Sequence, residues 1–354
     1  MREFARRVTL RVTIDGHDVA DAMAPYLLDF SFTDNVHGKA DEVQFALHDR
    51  DGKWSNAWKP KKGMPVTATL LCTNWEEQGQ DLSLPCGQFK VDEVGFSGPP
   101  DKITIKAVSS SLTGALRDTE KTRAWENTSL QTVAGQIAAD NGLALFYSGD
   151  AHTFARADQR KESDLAFINR LASERAMNCK VHDGKLILFD AEEAECQDAC
   201  LNIPKRGHIY SPVSYEFKDA SSGTAYTDVE VAYTDPDTGK THTATASAEQ
   251  THPDGGTKTL TYQQRAESAG DAMRRGRAQL HNANARERTA SIECLGSPRL
   301  VAGRTIELSG FGDFDGCYCI TRATHKLAGG QGYTTALELT KGARTRDGNA
   351  GDTV

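Results

Sequence analysis

The N-terminal third of the chain alternates apolar and polar residues with period two. Val8, Leu10, Val12 and Ile14 are separated by Thr9, Arg11 and Thr13, and Asp15-Gly16 ends the run. That spacing puts one set of side chains on one face of a strand. Phe30 and Phe32 share a face, as do Val43, Phe45 and Leu47 before the Asp49-Arg50-Asp51-Gly52 turn. Val66, Ala68 and Leu70 form the next buried row, and Phe89 with Val91, then Ile103, Ile105 and Ala107, follow. About six short strands of this kind predict a closed barrel or sandwich, because closure removes sheet edges.

The period changes after residue 117. Asn127 or Thr128 can cap a helix with Leu130, Val133, Ala134, Ile137 and Ala138 on one stripe, and Asn141-Gly142 is its stop. A short strand follows from Leu143 to Tyr147. Ser163 caps a second helix carrying Leu165, Ile168, Leu171 and Ala172. Asp183-Gly184 then joins Cys179–His182 to Leu186–Phe189 in a tight hairpin. Strand character returns near Val213, and Val229, Val231 and Tyr233 alternate before a turn at Asp235-Pro236-Asp237-Thr238-Gly239. Gln263 to about Asn284 reads as the longest helix and leads into the strand Thr289–Cys294.

Two stretches far apart repeat one pattern. Gly63 leads the strand ending at Leu70, Gly87 leads Gln88–Val94, and Lys102–Val108 alternates. Later, Gly303 leads Arg304–Leu308, Gly316 leads Cys317–Ala323, and Tyr333–Leu339 alternates. The echo predicts a duplicated β unit, and with it a mainly β fold with an α+β insertion. Two similar β-barrel domains, residues 1–117 and 196–342 with the long helix in the second, flank a small α/β domain at 118–195. Residues 343–354 form a polar, frayed tail.

Composition adds exclusions. The 354 residues suffice for two or three domains with real cores. A formal net charge of −8 argues against a protein that grips phosphate backbones, although an acidic wall lets a polyanion pass without sticking. The basic start Met1–Arg7 precedes no apolar h-region, so no signal peptide is read. No apolar run is long enough to span a bilayer. Cys72, Cys86, Cys179, Cys196, Cys200, Cys294, Cys317 and Cys319 are scattered, which suits reduced cytosolic thiols better than a disulfide framework.

The search for chemistry yields little. Thr238-Gly239-Lys240-Thr241 resembles the end of a phosphate loop, but Thr234 stands where the first glycine is needed. Cys317-x-Cys319 with His325, and Cys196-x-x-x-Cys200, lack a complete zinc ligand set. Asp49-x-Asp51-Gly52 lacks the later oxygen ligands of a calcium loop. Asp313 with Asp315, and Glu192, Glu193 and Glu195, are acidic groups flanking turns, where exposed carboxylates are ordinary. Trp54, Trp58 and Trp75 are of a type that lines sugar sites but more often packs or forms interfaces. These readings predict no catalytic residues, no cofactor and no metal.

The order of several motifs carries a resemblance. Asp49-Arg50-Asp51-x-x-Trp54-x-x-x-Trp58-x-Pro60-x-x-Gly63 resembles the first barrel of the phage late control protein D family, the hub proteins of contractile tails. Glu162–Ala172 followed by Asp183-Gly184-Lys185-Leu186 is similar to that family's insertion and to the valine-glycine-repeat spikes of type VI secretion. Gly296–Gly303, Gly316-x-Tyr318-x-Ile320, His325 and Gly332-Tyr333-Thr334-Thr335 resemble its second barrel, so the likeness covers about residues 5–342.

The resemblance implies a homotrimer whose two barrels per chain form a pseudo-six-fold ring. The ring would join a hexameric tail tube to a trimeric spike, touch baseplate wedge proteins, and pass DNA or tape-measure protein through its lumen. It implies a place in the virion baseplate, after assembly in the bacterial cytoplasm and with no membrane insertion. Trp54, Trp58, Gly63, Gly303, Gly316, Tyr318, His325 and Tyr333 are the structural or interface candidates, with His325 expected at a strand end bonded to backbone. Some family members carry a lysozyme module or a long β-prism; the chain stops after the second barrel, so neither is expected. The competing class is a cell-wall-binding or peptidoglycan-degrading tail enzyme, which requires an acid pair in a cleft.

Overall fold

The computed structural model describes residues 5–36, 40–109, 114–195, 197–220, 225–234, 241–247, 256–263, 269–329 and 332–341. The N-terminal alternation forms β1 (Arg7–Ile14), which turns through Asp15 and Gly16 at positive φ into β2 (His17–Asp18). After the single turn α1 (Ala20–Met23) come β3 (Leu27–Asn35), β4 (Glu42–His48), β5 (Pro65–Thr73), β6 (Leu82–Ser97) and β7 (Lys102–Ser109). Their spatial order is β3-β4-β7-β6-β5-β1. The predicted apolar rows, among them Phe30, Phe32, Phe45, Leu70, Phe89 and Ile105, meet in one core.

The insertion begins with α2 (Gly114–Arg117). It contains β8 (Glu120–Ser129), α3 (Leu130–Asp140), β9 (Ala144–Ser148), β10 (Thr153–Ser163), α4 (Asp164–Ser173), β11 (Met177–His182), β12 (Lys185–Asp190) and α5 (Ala191–Glu195). Strands β9, β12 and β11 form one sheet, and β8 with β10 another. The cap of α3 is Ser129, whose hydroxyl accepts from the Thr132 N–H at 3.1 Å, and not Asn127 or Thr128. Those two residues belong to β8, so the capping position falls where the strand ends. Ser163 caps α4 as predicted, accepting from Ala166 N–H at 3.2 Å. The Asp183-Gly184 corner has φ of 44° and 71°, the left-handed pair a tight hairpin requires. Strand β8 puts Lys121 and Arg123 at its half-buried positions and Thr122 and Ala124 at exposed ones, so no apolar row marks it for a period-two reading.

The remaining elements are β13 (Asn202–Pro204), β14 (Ser214–Asp219), β15 (Asp228–Thr234), β16 (Thr241–Ser247), β17 (Thr259–Gln263), α6 (Ala269–Asn284), β18 (Arg288–Leu295), β19 (Thr305–Ser309), β20 (Gly316–Ala328) and β21 (Gly332–Lys341). Strands β15–β17 make their own sheet with α6 against it, around Val229, Val231, Ala272 and Leu280. The predicted turn at 235–239, Cys196 and the tail at 343–354 lie outside the described residues.

The second half repeats the first strand for strand. Its order β14-β18-β21-β20-β19 matches β3-β4-β7-β6-β5. In each copy a register shift interrupts the corresponding pairing, β6 with β7 and β20 with β21, at the same place, between Val91 and Glu93 and between Ile320 and Arg322. The halves are continuous: β3 pairs with β20 from Asn35↔Arg322 to Asp29↔Ala328. One mainly antiparallel sheet therefore runs from β14 to β2. Among the described residues the pairing does not close either half into a separate barrel.

Candidate assembly site

The joint between the halves is built from buried polar and aromatic groups. His325 stands in the middle of β20, not at a strand end, and pairs with Thr335 on one side and Phe32 on the other. Its Nδ1 meets the Tyr333 hydroxyl at 2.7 Å and Thr335 Oγ1 at 3.1 Å. Side chains, not backbone, therefore hold that nitrogen, and its ring stacks on Phe32 at 5.8 Å. Nε2 is buried without a hydrogen bond of normal geometry. Burial pushes the imidazole down to about 4, offset weakly by the Leu300 backbone, so it is neutral at physiological pH. Tyr333 packs against Trp75, whose indole N–H donates to the Gly296 carbonyl at 2.8 Å.

A second joint ties the insertion to this seam. Asp34 on β3 accepts from Lys180 Nζ and, at 2.9 Å, from the Ala302 N–H. Asp41 accepts from the Asn35 N–H at 2.9 Å and faces His182 Nδ1 at 2.8 Å. Ligand atoms of Asp34, Asp41 and His182 all lie within 4.8 Å of one another, a spacing a metal ion uses. All four carboxylate oxygens are already bonded to protein groups, so the arrangement reads as an ion-pair joint between β11 and the seam. Burial raises the Asp34 carboxyl above its ordinary value, with Lys180 opposing and Asp41 adding to the rise. Nothing in the sequence signalled this cluster, because its members come from three separate segments.

Among the sequence-predicted residues, Trp54 is buried and Trp58 is 43% exposed. Both rings stand edge-on to Tyr26 and to each other. Asp49 accepts from the Trp54 and Ser55 N–H groups at 2.8 and 2.9 Å, which makes its segment a capped turn and not a cation loop. Gly63 and Gly303 occupy matching corners with φ of 84° and 89°. Gly316 has φ of 127°, and Tyr318 beside it is buried with its hydroxyl donating to the Phe314 carbonyl at 2.9 Å. The fold thus brings His325 and Tyr333 together; Trp54 and Trp58 form a separate aromatic corner.

The groups proposed for chemistry are otherwise occupied. Asp315 accepts from Gly310 and Phe311 N–H at 3.1 and 2.6 Å, so it caps an exposed turn; Asp313 is exposed beside it. Burial pushes the Cys72, Cys179 and Cys294 thiols up to about 12, which keeps them protonated and weak as ligands or nucleophiles. What the surface does offer is apolar sheet edge: Phe96, Val213 and Tyr215 are 60%, 73% and 47% exposed.

Comparison with known proteins finds tail proteins of the same fold. A tail protein of the MuSo2 prophage from Shewanella oneidensis superimposes with a TM-score of 0.69 at 13% identity, covering 94% of this chain and 98% of that one. A tail protein from Neisseria meningitidis gives 0.70 at 10% identity, covering 94% and 96%. These likenesses establish the fold. In sequence, the probable baseplate hub proteins of Escherichia phages 186 and P2 are each 31% identical, over 52% and 50% of this chain. The matched stretch spans 45% and 44% of those relatives, less than half their length. Residues 104–331 match the family model for the phage tail baseplate hub. That stretch runs from β7 through the insertion to just past the end of β20, so the chain belongs to the phage tail baseplate hub (GPD) family, a structural family and not an enzymatic one.

Proposed function

We propose that three copies of the chain form a ring that joins a hexameric tail tube to a trimeric spike in the baseplate. The observation that carries this is the duplication: one chain presents two topologically matched halves with different surfaces. Three chains then supply six similar units on a three-fold axis, which adapts one symmetry to the other. The work is mechanical and adhesive. Tube protein seats on one side, spike on the other, wedge proteins at the periphery, and DNA or tape-measure protein passes through the lumen without specific binding. Assembly takes place in the host cytoplasm before the particle is released.

The native mass of the purified chain, alone and co-expressed with its spike protein, tests this reading. A mass of three chains supports the ring; a monomer under both conditions removes the reason for two halves per chain.

A further inference from the structure

The duplication also leaves one strand contact of the repeat unmatched. Strand partners fix the correspondence between halves residue by residue. In the first half Val94 pairs with Ile105, Ile105 with Phe45, and Phe45 with Phe30. In the second, Ala323 pairs with Leu337, Leu337 with Ile292, and Ile292 with Tyr215. Val94 thus corresponds to Ala323 and Phe30 to Tyr215. It follows that Phe96 corresponds to His325, and Phe217 to Phe32.

One contact of the repeat occurs once in the chain, although the repeat offers it twice. Beyond its register shift, β20 is flanked on the side away from β21 by β3, with His325 opposite Phe32 and Lys326 opposite Ser31. The equivalent stretch of β6, Glu93–Ser97, pairs with β7 on one side. On the other side β5 reaches only to Lys90, and no described strand continues. The counterpart of β3 is β14, which ends the sheet with one neighbour, β18. The acceptor edge and the donor strand are both present, and neither is paired on that side among the described residues. Their apolar residues, Phe96 on one and Tyr215 with the preceding Val213 on the other, are the exposed ones noted above. A long apolar edge left open invites pairing with another chain.

We propose that β14 of one copy pairs antiparallel with Glu93–Ser97 of β6 in the next copy, with Phe96 opposite Phe217 and Ser97 opposite Glu216. The register is that of the β3–β20 joint transferred through the repeat. It puts the Phe96 and Phe217 rings where His325 and Phe32 stack, and sets Lys218 diagonal to Glu93, within reach of an opposite-charge pair. Donor and acceptor differ, so the contact is head-to-tail and closes only as a ring. The occupant is a second copy of this chain, and the count of three rests on the proposed function.

The test is a pair of cysteines at the predicted partners, Ser97→Cys with Glu216→Cys, both at exposed positions. Directly opposed residues stand about 4.5–5.5 Å apart between Cα atoms, within the range a disulfide spans. On mild oxidation the double variant is expected to give a covalent ladder ending at three chains, with each single variant as background for native thiols. Ser97→Cys with Lys218→Cys, slipped by two residues, is expected to cross-link several-fold less. A native mass of three chains without the ladder, or equal yields from both pairs, would overturn the surface and leave the trimer standing. A monomeric native mass would overturn the ring and this contact with it.

Discussion

Gly63 and Gly303 hold the same corner in the two halves of the chain. Their φ values are 84° and 89°, and each N–H donates into the following strand, to the Val91 carbonyl at 2.7 Å and the Ile320 carbonyl at 2.8 Å. The return bonds, Val91 N–H to Met64 O and Ile320 N–H to Arg304 O, are both 2.9 Å. The backbone conformation is shared, but the surroundings are not. A Cβ on Gly63 meets open space, and one on Gly303 meets the Phe189 ring at 3.3 Å.

That difference predicts unequal costs. Gly63→Ala should lose about 1 kcal/mol, the penalty of a left-handed backbone for a residue with a Cβ. Gly303→Ala should lose more, about 2 kcal/mol, since Phe189 must also shift, and Gly303→Val more again. Urea denaturation at one fixed protein concentration measures both, so that assembly contributes equally. Equal losses at the two sites would contradict the packing difference.

Trp75 is one of the first half's hydrogen-bonded anchors on the second. Trp75→Phe keeps an aromatic ring packed beside Tyr333 but leaves the buried Gly296 carbonyl without the indole donor. The expected loss is about 2 kcal/mol, in the range for a stranded buried acceptor. Trp58→Phe, at a 43% exposed position, should lose under about 1 kcal/mol. The same denaturation series separates them.

Much of the strand content was legible because buried and exposed positions alternate strictly along β5, β7 and β21. The duplication was legible too, since Gly63 and Gly303 take positive φ at the same corner, and Gly87 and Gly316 take positive φ four residues before Val91 and Ile320, although Gly87 lies inside β6 and does not lead a strand as expected. Strand β15 alternates too, with Val229 and Val231 buried and Glu230 exposed, yet it joins β16 and β17 in a separate sheet with α6; period two shows that a segment is a strand, not which sheet receives it. The joints were not legible. His325 and Asp34 acquire their meaning from partners on other strands, and Asp164 is bonded to Lys121, Arg123, Asn141 and Gln159, none adjacent to it in sequence.

Asp164 gives the insertion its own test. Its carboxylate is fully buried and accepts from Lys121 Nζ at 2.6 Å, Arg123 Nη2 at 2.7 Å, and the Asn141 and Gln159 amides at 3.0 Å. Burial alone would raise its pKa, but these donors together hold it below the ordinary carboxylate value. Asp164→Asn removes the one acceptor shared by two cations and puts an N–H₂ group among donors. The expected loss is about 3–5 kcal/mol, concentrated in residues 114–195. Limited proteolysis should show cleavage within that segment at protease levels that leave the wild type intact.

His325 predicts an acid-sensitive seam between the halves. Its folded pKa is about 4 against an ordinary 6.5, so the unfolded chain takes up a proton there before the folded chain does. Stability from this group is complete above about 6.5 and is lost as pH falls from 6.5 toward 4. The full shift corresponds to about 3 kcal/mol. His325→Gln keeps a side chain able to bond the Tyr333 or Thr335 hydroxyl but cannot titrate. The variant should be less stable than wild type at pH 7.5 by about 1–2 kcal/mol through imperfect packing. The gap should narrow or reverse at pH 5, because the wild type alone carries the histidine penalty. Other groups whose titration is linked to folding, His152 losing stability and Asp34 gaining it as pH falls, act equally in both proteins, so the difference between the two pH profiles isolates His325. Parallel profiles from pH 7.5 to 5 would show that the imidazole takes up its proton in the folded chain, and that the seam is open to water.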